Sequence, residues 1–535
     1  MKVLQVAAEG SPFLKTGGLA DVIGALPKAL KESGVDVRVI MPRYKNIPET
    51  YRNRMEYLGN IEVPLAWRRV YCGLFKLVYD GVVFYFIDNE YYFGARDGAY
   101  GYYDDGERFA YFNRAVLQAL PELEFQPDII HSHDWHAAMI AVLMQKHYLH
   151  DLFYTSIRTV YTIHNLQFQG IYPYGVFNEL LGLTHDYFQY DRVEHEGCVN
   201  FMKGGINYSD IVTTVSRTYA DEIRTPHFGE GLDGALRWAG GRLRGIVNGI
   251  DDQLYDPRSD AKLFQMYSEE DAIQGKAANK KELQRLVGLD VNESVPLIGM
   301  VGRLTDQKGL DLVAHVLHEV MEADDVQLVV LGTGDDRYEQ MFRDYAARYP
   351  GKLAVQTKFD DGLARQIYAA SDLFLMPSRF EPCGLSQLLA LRYGSIPIVR
   401  ETGGLNDTVQ AYNEFTGEGN GFSFTNYNAH DMLYTIRRAI AFYTRSDDWQ
   451  RLVRTAMSGD YSWTESARQY REIYEELIER RIQQLEAQAA DAEAAAADNR
   501  LIADNDVVEQ SIARSDLSED SQRARPTAGL SPQVL

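Results

Sequence analysis

The strongest constraint on this 535-residue chain is a rhythm that occurs twice, short apolar runs alternating with stretches of helical spacing. In the first half the runs are "DVRVIMPRY", "VVFYFIDN", "PDIIHSHDW", "IRTVYTIHN" and "DIVTTVS". In the second they are "VPLIGMVGRL", "VQLVVLGTGDD", "DLFLMPSRF" and "SIPIVRETGG". Such alternation indicates an α/β fold with parallel sheets, since each parallel strand needs a crossover before the next. The length exceeds what one hydrophobic core organises, so two domains and an additional piece are expected. The Gly-, Asp- and Pro-bearing stretch "GRLRGIVNGIDDQLYDPRSD" suits a crossover between them. We therefore divide the chain into 1–250, 251–462, a helix over 463–486 packing back across the domains, and an acidic tail over 487–535. The tail has too little apolar surface to offset its ordering and is expected to be disordered or a fraying helix.

Composition narrows the function classes. A formal charge of −22 argues against nucleic acid or an anionic membrane surface as partner. Three cysteines, Cys72, Cys198 and Cys383, have no paired spacing, which fits a reducing cytoplasm without disulfides or a zinc site. The start "MKVLQVAAEG" reaches Glu9 without a long apolar core, so no signal peptide is read there. No run of about 18 apolar residues suggests a membrane span. The expectation is a soluble, cytoplasmic globular protein.

In open α/β sheets, ligands bind beyond the carboxyl ends of the strands, so the loops at those ends carry the chemistry. The first is "SPFLKTGGLADVIGALPKAL", where Lys15-Thr16-Gly17-Gly18 lies between a short strand and a helix patterned by Leu19, Val22, Ile23, Leu26 and Leu30. Glycines there let a ligand approach the backbone, and the helix end favours an anion. An ordinary βα turn with a solvated lysine is the competing reading. The stretch matches neither the dinucleotide fingerprint nor the P-loop. The second half has a matching loop, "LIGMVGRLTDQKGLDLV", with Arg303 and Lys308 five residues apart. A nucleoside diphosphate between two such loops fits, because charge growing on a departing phosphate is stabilised by Lys, Arg or a metal. The Asp-x-Asp of metal-dependent sugar transferases occurs only at Asp504-Asn505-Asp506, in the tail. Metal-free stabilisation by Lys15, Arg303 and Lys308 is the expectation, with surface charges framing a helix as the alternative.

"PSRFEPCGLSQLLALRYG" places Glu381 before a Pro-Cys-Gly turn and a helix. Glu381 either accepts hydrogen bonds from sugar hydroxyls or simply complements the helix dipole. Cys383 reads as a packed thiol rather than a nucleophile, since no base lies beside it in sequence. "HSHDWHAAM" holds His131, His133, Asp134 and His136, whose spacing by itself supports a metal site weakly. His164 ends the strand run "TVYTI", where it either bonds a sugar hydroxyl or caps the strand. The loop "EYYFGARDGAYGYYDDGERFAYF", with Tyr92, Phe93 and Tyr100, offers aromatic faces for the pyranose rings of a neutral polysaccharide. Core packing or a mobile flap competes with that reading.

Together "KTGGLADV", "HDWH", "TIHNLQFQG", "NGID", "GRLTDQKGLD", "PSRFEPCGLSQL" and "TGGLNDTV" resemble, in this order, the bacterial glycogen synthases and plant starch synthases. The resemblance runs from Met1 to about Tyr474. It implies a GT-B architecture, two Rossmann-like domains facing across a deep cleft, the first on the acceptor side and the second on the donor side. It also implies retaining, metal-independent transfer of glucose from a nucleotide-glucose to the 4-hydroxyl at a non-reducing glucan end. ADP-glucose is the expected donor. UDP-glucose, another acceptor, or an inactive glucan-binding protein are the alternatives. Lys15 and Gly18 would meet the donor phosphates, Arg303 and Lys308 would neutralise the leaving diphosphate, and Glu381 would hold the transferred glucose. His164 would lie near its 6-hydroxyl, and the backbone through Cys383, Gly384 and Leu385 would face the phosphate. Asp134 and Asn248 would line the cleft, with Trp135 beside Asp134 on the acceptor side, and Phe359 would pack on the base. The leaving phosphate would itself take the acceptor's proton, in a front-face mechanism. One departure from the family pattern is Asn406 in "TGGLNDTV", where many bacterial members carry alanine; little effect is expected of it.

Overall fold

The computed structural model describes residues 1–523, and side chains as far as residue 494. Strands β1 (Lys2–Val6), β2 (Asp36–Pro42), β3 (Glu56–Leu65), β4 (Arg68–Tyr79), β5 (Val82–Asp88), β6 (Ile129–His133) and β7 (Arg158–Ile163) fall in the first half. So do β8 (Ile171–Tyr172), β9 (Glu194–His195), β10 (Cys198–Asn200), β11 (Ile211–Thr214) and β12 (Leu243–Gly245). The second half supplies β13 (Leu297–Val301), β14 (Gln327–Leu331), β15 (Leu353–Gln356), β16 (Leu373–Met376), β17 (Ile396–Arg400) and β18 (Phe422–Phe424).

The first half builds a nine-stranded sheet in the order β12-β11-β7-β6-β1-β2-β5-β4-β3. Its pairs from β12 to β5 are parallel, and the β3–β4 hairpin adds an antiparallel edge. A separate antiparallel sheet, β8-β10-β9, lies within the same half. The second half forms a six-stranded parallel sheet, β15-β14-β13-β16-β17-β18. The inner parallel strands, among them β1, β6, β14 and β16, are largely buried on both faces and so read as mostly apolar runs, whereas β3 and β4 at the edge are partly exposed. Each half has its own apolar core.

Both sheets have a topological switch point, where neighbouring crossovers run in opposite directions. In the first it lies between β1 and β6, in the second between β13 and β16. The loops leaving β1, β6, β13 and β16 therefore diverge and open crevices at the strand carboxyl ends.

Between the halves the chain passes at 246–250 and returns near 461. There Ile250 N–H donates to the Tyr461 carbonyl at 2.8 Å, and Ser466 Oγ donates to the Val247 carbonyl at 2.5 Å. Beyond the return crossing, Tyr474 OH lies 2.7 Å from His131 Nδ1 at the heart of the first sheet. Residues 1–474 form one compact unit and the remainder a second. The helix starting at Thr464 continues to Arg523 and so includes residues 487–523 of the expected tail. Alanine, glutamate and arginine favour helix without any core to pack on, which carries it past the last apolar stripe. Of the expected tail, residues 524–535 lie outside the described residues. Among those described, no helix is long and apolar enough to cross a membrane.

Candidate active site

A cavity of about 480 Å³ opens at the mouths of both sheets. Its walls include Lys15, Thr16 and Asp21 from the loop and helix after β1, Arg303 after β13, and Gly332 and Thr333 after β14. Phe359, after β15, and Leu385, after β16, complete them. Four residues named from the sequence, Lys15, Arg303, Phe359 and Leu385, thus share one cavity although they are far apart in the chain. Phe359 is 81% exposed, so a flat ring is presented to a ligand without packing against the protein.

The first loop is set by Glu9. Its carboxylate Oε2 accepts from Thr16 N–H at 2.7 Å and from the Thr16 hydroxyl. Burial pushes the Glu9 carboxyl above its ordinary value, and the Thr16 bonds pull partly against that. Gly18 opens the Gly18–Glu32 helix, whose apolar residues face the sheet. A Cβ on Gly17 would lie 3.7 Å from Glu9, and one on Gly18 3.8 Å from Leu385. Both are ordinary contacts, so nothing in the protein's own packing demands glycine at either position. Lys15 Nζ donates to Asp21 Oδ1 at 2.6 Å. Asp21 was not singled out from the sequence, although it stands within "KTGGLADV"; an acidic residue in a first helical turn reads as dipole complementarity. Burial raises its pKa, and the Lys15 ammonium counteracts part of the rise.

Glu381 does not line this cavity; it is buried just before the Ser386–Arg392 helix, whose preceding residue Leu385 does. Its Oε2 accepts from Lys308 Nζ at 2.6 Å and from Ser378 Oγ at 3.0 Å. Lys308 and Glu381 thus meet as a charge-assisted pair. The Cys383 thiol is buried, and burial pushes it up to about 12, so it stays protonated at neutral pH as a packing group. Gly384 and Leu385 follow at the helix start.

On the first half's side, His131, His133 and His164 form a ladder. His131 and His133 rings stack at 4.2 Å, and His133 Nδ1 lies 3.0 Å from His164 Nε2. Desolvation lowers all three, His131 and His164 to about 3, so the rings are neutral at physiological pH. Asp134 accepts from His164 N–H at 2.8 Å, in a backbone conformation with φ 55°. Desolvation lifts its carboxyl to about 7. Among the described residues no group of three or more His, Cys, Asp or Glu side chains is arranged to hold a metal ion. Asn248 is buried at the crossover, with its side-chain Oδ1 unpartnered.

The aromatic loop corrects one expectation. Tyr92 and Phe93 are 1% and 0% exposed, with Tyr92 packed on Tyr111 at 4.9 Å and Phe93 on Tyr44 at 5.5 Å. Trp135 is likewise buried, against Phe109 at 5.0 Å. No face of these three rings is left for a sugar, so the core-packing alternative holds for them. Tyr100 is half-buried over His136 at 4.4 Å. The exposed aromatics of that loop are Tyr91 and Tyr103.

The sequence also gave no reason to select Tyr255 or Arg365 of the cavity wall. The Arg365 guanidinium lies 4.6 Å over the Tyr255 ring and donates to the Leu254 carbonyl at 2.9 Å. These partners are more than a hundred residues apart, and no local signal announces them.

Two family descriptions match the chain, "Starch synthase catalytic domain" over residues 2–238 and "Glycosyl transferases group 1" over residues 287–452. The glycogen synthase of Geobacillus thermodenitrificans is 58% identical over 480 residues, covering 90% of this chain and 98% of that protein. That of Desulforamulus reducens is 55% identical over 478 residues, covering 89% and 99%. Among solved structures, the catalytic domain of starch synthase IV from Arabidopsis thaliana, bound to ADP and acarbose, superposes with a TM-score of 0.83. It is 36% identical, covering 89% of this chain and 99% of that one.

Proposed function

The chain belongs to the glycogen and starch synthase family of GT-B glycosyltransferases, and from that premise we propose that it uses ADP-glucose, adding glucose with retention to the 4-hydroxyl of a non-reducing α-1,4-glucan end and needing no metal. The observation that carries this reading is the convergence of Lys15, Arg303 and Phe359 on one cavity, with the Lys308–Glu381 pair beside it. The cavity offers an exposed ring for a nucleobase and cations for a diphosphate, and the Glu381 carboxylate beside it suits sugar hydroxyls. The ADP bound to the Arabidopsis enzyme supports the choice of nucleotide.

In this reading the bond from the glucose anomeric carbon to the diphosphate oxygen breaks as the bond to the acceptor 4-oxygen forms. Lys15, Arg303 and Lys308 hold the charge that grows on the leaving diphosphate. The acceptor's proton passes to that same phosphate oxygen, as a front-face mechanism has it. Glu381 accepts from the hydroxyls of the transferred glucose, with Lys308 Nζ 2.6 Å from its Oε2. His164, neutral, has a ring nitrogen for a sugar hydroxyl without adding charge near the reacting centre. The three cysteines are unpaired, which supports a cytoplasmic setting.

Glucose transfer to glycogen, measured in parallel from ADP-glucose and UDP-glucose with and without EDTA, tests the reading. EDTA-insensitive transfer from ADP-glucose is expected. Transfer abolished by EDTA would remove the metal-free mechanism, and a preference for UDP-glucose would correct the donor. No transfer from either, with glycogen still bound, would leave a glucan-binding protein.

A further inference from the structure

Two short helices from opposite halves lie side by side and exchange carboxylates. The Arg217–Glu222 helix follows β11, and the Gly403–Thr408 helix follows β17. Asp407, near the end of the second, accepts at the start of the first, from Ser216 Oγ at 2.6 Å, Arg217 N–H at 2.6 Å and Thr218 Oγ1 at 2.6 Å. Glu222, at the end of the first, accepts at the start of the second, from Thr402 Oγ1 at 2.8 Å and Gly403 N–H at 3.1 Å. Each carboxylate thus satisfies orphan donors at the other helix's positive end, which makes these charge-assisted bonds stronger than neutral ones.

What this exchange holds is the back of the site. Gly404 N–H donates to the Glu381 carbonyl at 3.0 Å. A Cβ on Gly403 would lie 1.9 Å from the Glu381 carbonyl oxygen, and one on Gly404 2.0 Å from that of Cys383. The turn at Thr402–Gly404 therefore sits backbone to backbone with the segment that carries Glu381 and leads to Gly384. On the other face, a Cβ on Gly245 would meet the Ser216 carbonyl at 2.2 Å, so Ser216 is pressed against the chain just before it crosses between the halves. Asn406 donates through Nδ2 to Thr218 Oγ1 at 2.9 Å and adds one more bond across the same line.

We propose that Glu222 and Asp407 are positioning residues of the transfer reaction, a reciprocal latch between the halves that fixes the Thr402–Gly404 turn and, through it, the backbone of Glu381–Gly384. Neither touches the cavity. Their effect reaches the donor through the loop behind which the turn is wedged, and misplacement of a binding loop by a fraction of an ångström lowers turnover steeply. This inference rests on the proposed donor site.

The test takes the full-length enzyme through Glu222→Ala, Asp407→Ala, the double variant and Glu222→Gln. Transfer kinetics, ADP binding by calorimetry and Tm are measured for each. A single latch predicts kcat lowered about tenfold in either alanine variant, a raised KM for the donor, weaker ADP binding and an unchanged KM for glycogen. The double variant should be little worse than either single one, as coupled residues are not additive. Glu222→Gln, which keeps a carbonyl oxygen for Thr402 and Gly403, should recover most of the loss. Wild-type transfer with kcat and donor KM of the alanine variants within twofold of it would overturn the inference and leave the reading of the site intact. So would equal losses for donor and glycogen. If the alanine variants fail to fold, Ser216→Ala and Thr402→Val, which remove one hydroxyl donor from each carboxylate, decide by the same split between donor and glycogen. A wild-type protein without transfer from either nucleotide would overturn the site reading and this inference together.

Discussion

The tetrapeptide Thr-Gly-Gly-Leu occurs twice at a strand-to-helix turn, at 16–19 in the first half and 402–405 in the second. In both, the threonine hydroxyl donates to a glutamate, Glu9 in one and Glu222 in the other, and desolvation raises both carboxyls. The glycines differ completely. At 17 and 18 a side chain would find ordinary contacts at 3.7 and 3.8 Å, whereas at 403 and 404 it would strike protein backbone at 1.9 and 2.0 Å. One pair is free of close backbone contact. The other makes room for the chain's own loop. Identical letters thus pack loosely in one half and hold the chain against itself in the other.

The sharpest way to break this comparison is to add a methyl group to each turn. Gly404→Ala should cost about 3 kcal/mol or more, since the obstacle is a backbone oxygen that cannot swing away. Gly18→Ala should leave Tm within a degree or two in thermal unfolding, while weakening ADP binding. Equal Tm values for the two variants would dissolve the distinction. Next in size, Glu381→Ala, in the loop that the second turn supports, should lower kcat about 100-fold or more with Tm retained. Near-normal turnover would remove Glu381 from the site. On the first turn, Lys15→Ala should raise the donor KM about tenfold and leave the glycogen KM alone. An unchanged response to donor concentration would mean that this loop does not meet the diphosphate.

The smallest effect concerns the two glutamates. Burial holds each folded-state carboxyl above the ordinary glutamate value of 4.5, so the unfolded chain ionises first. Stability is therefore fully present below 4.5 and declines as pH rises through the folded values. Glu9→Gln and Glu222→Gln cannot ionise and lack this decline. Their Tm, relative to wild type, should climb as pH rises above 4.5 and then level off. A flat difference across that range would show that burial does not hold these carboxyls up.

The parallel strands were legible because a strand buried on both faces cannot be written without a run such as "DIIHSH" or "LFLM". The β3–β4 hairpin was not read, because its half-exposed strands dilute the apolar signal, as does Trp67 at its tip, 90% exposed. Lys15 and Arg303 could be placed because strand ends announce themselves in sequence, whereas Leu385 came only with the family resemblance. Aromatic content could not tell Tyr92, sealed against Tyr111, from Tyr91, open to solvent, since burial is decided by the Asp105–Glu122 helix that packs over the loop. The same limit hid the difference between the two glycine turns. A φ of −158° at Gly17 and of 46° at Gly403 is settled by distant backbone, not by the four letters.

Tyr470 and Tyr474 carry one consequence for synthesis. His131 lies at the centre of the first sheet, yet its ring rests on Tyr470 at 5.3 Å and bonds Tyr474. A nascent chain can pair every strand of that sheet by residue 245, but the cover over this histidine is translated more than two hundred residues later. The seam over this histidine therefore closes only once nearly all of the 474-residue compact unit has emerged from the ribosome. A polypeptide released early by a premature stop would carry a sheet with an open seam, and quality-control proteases would have a defined place to begin.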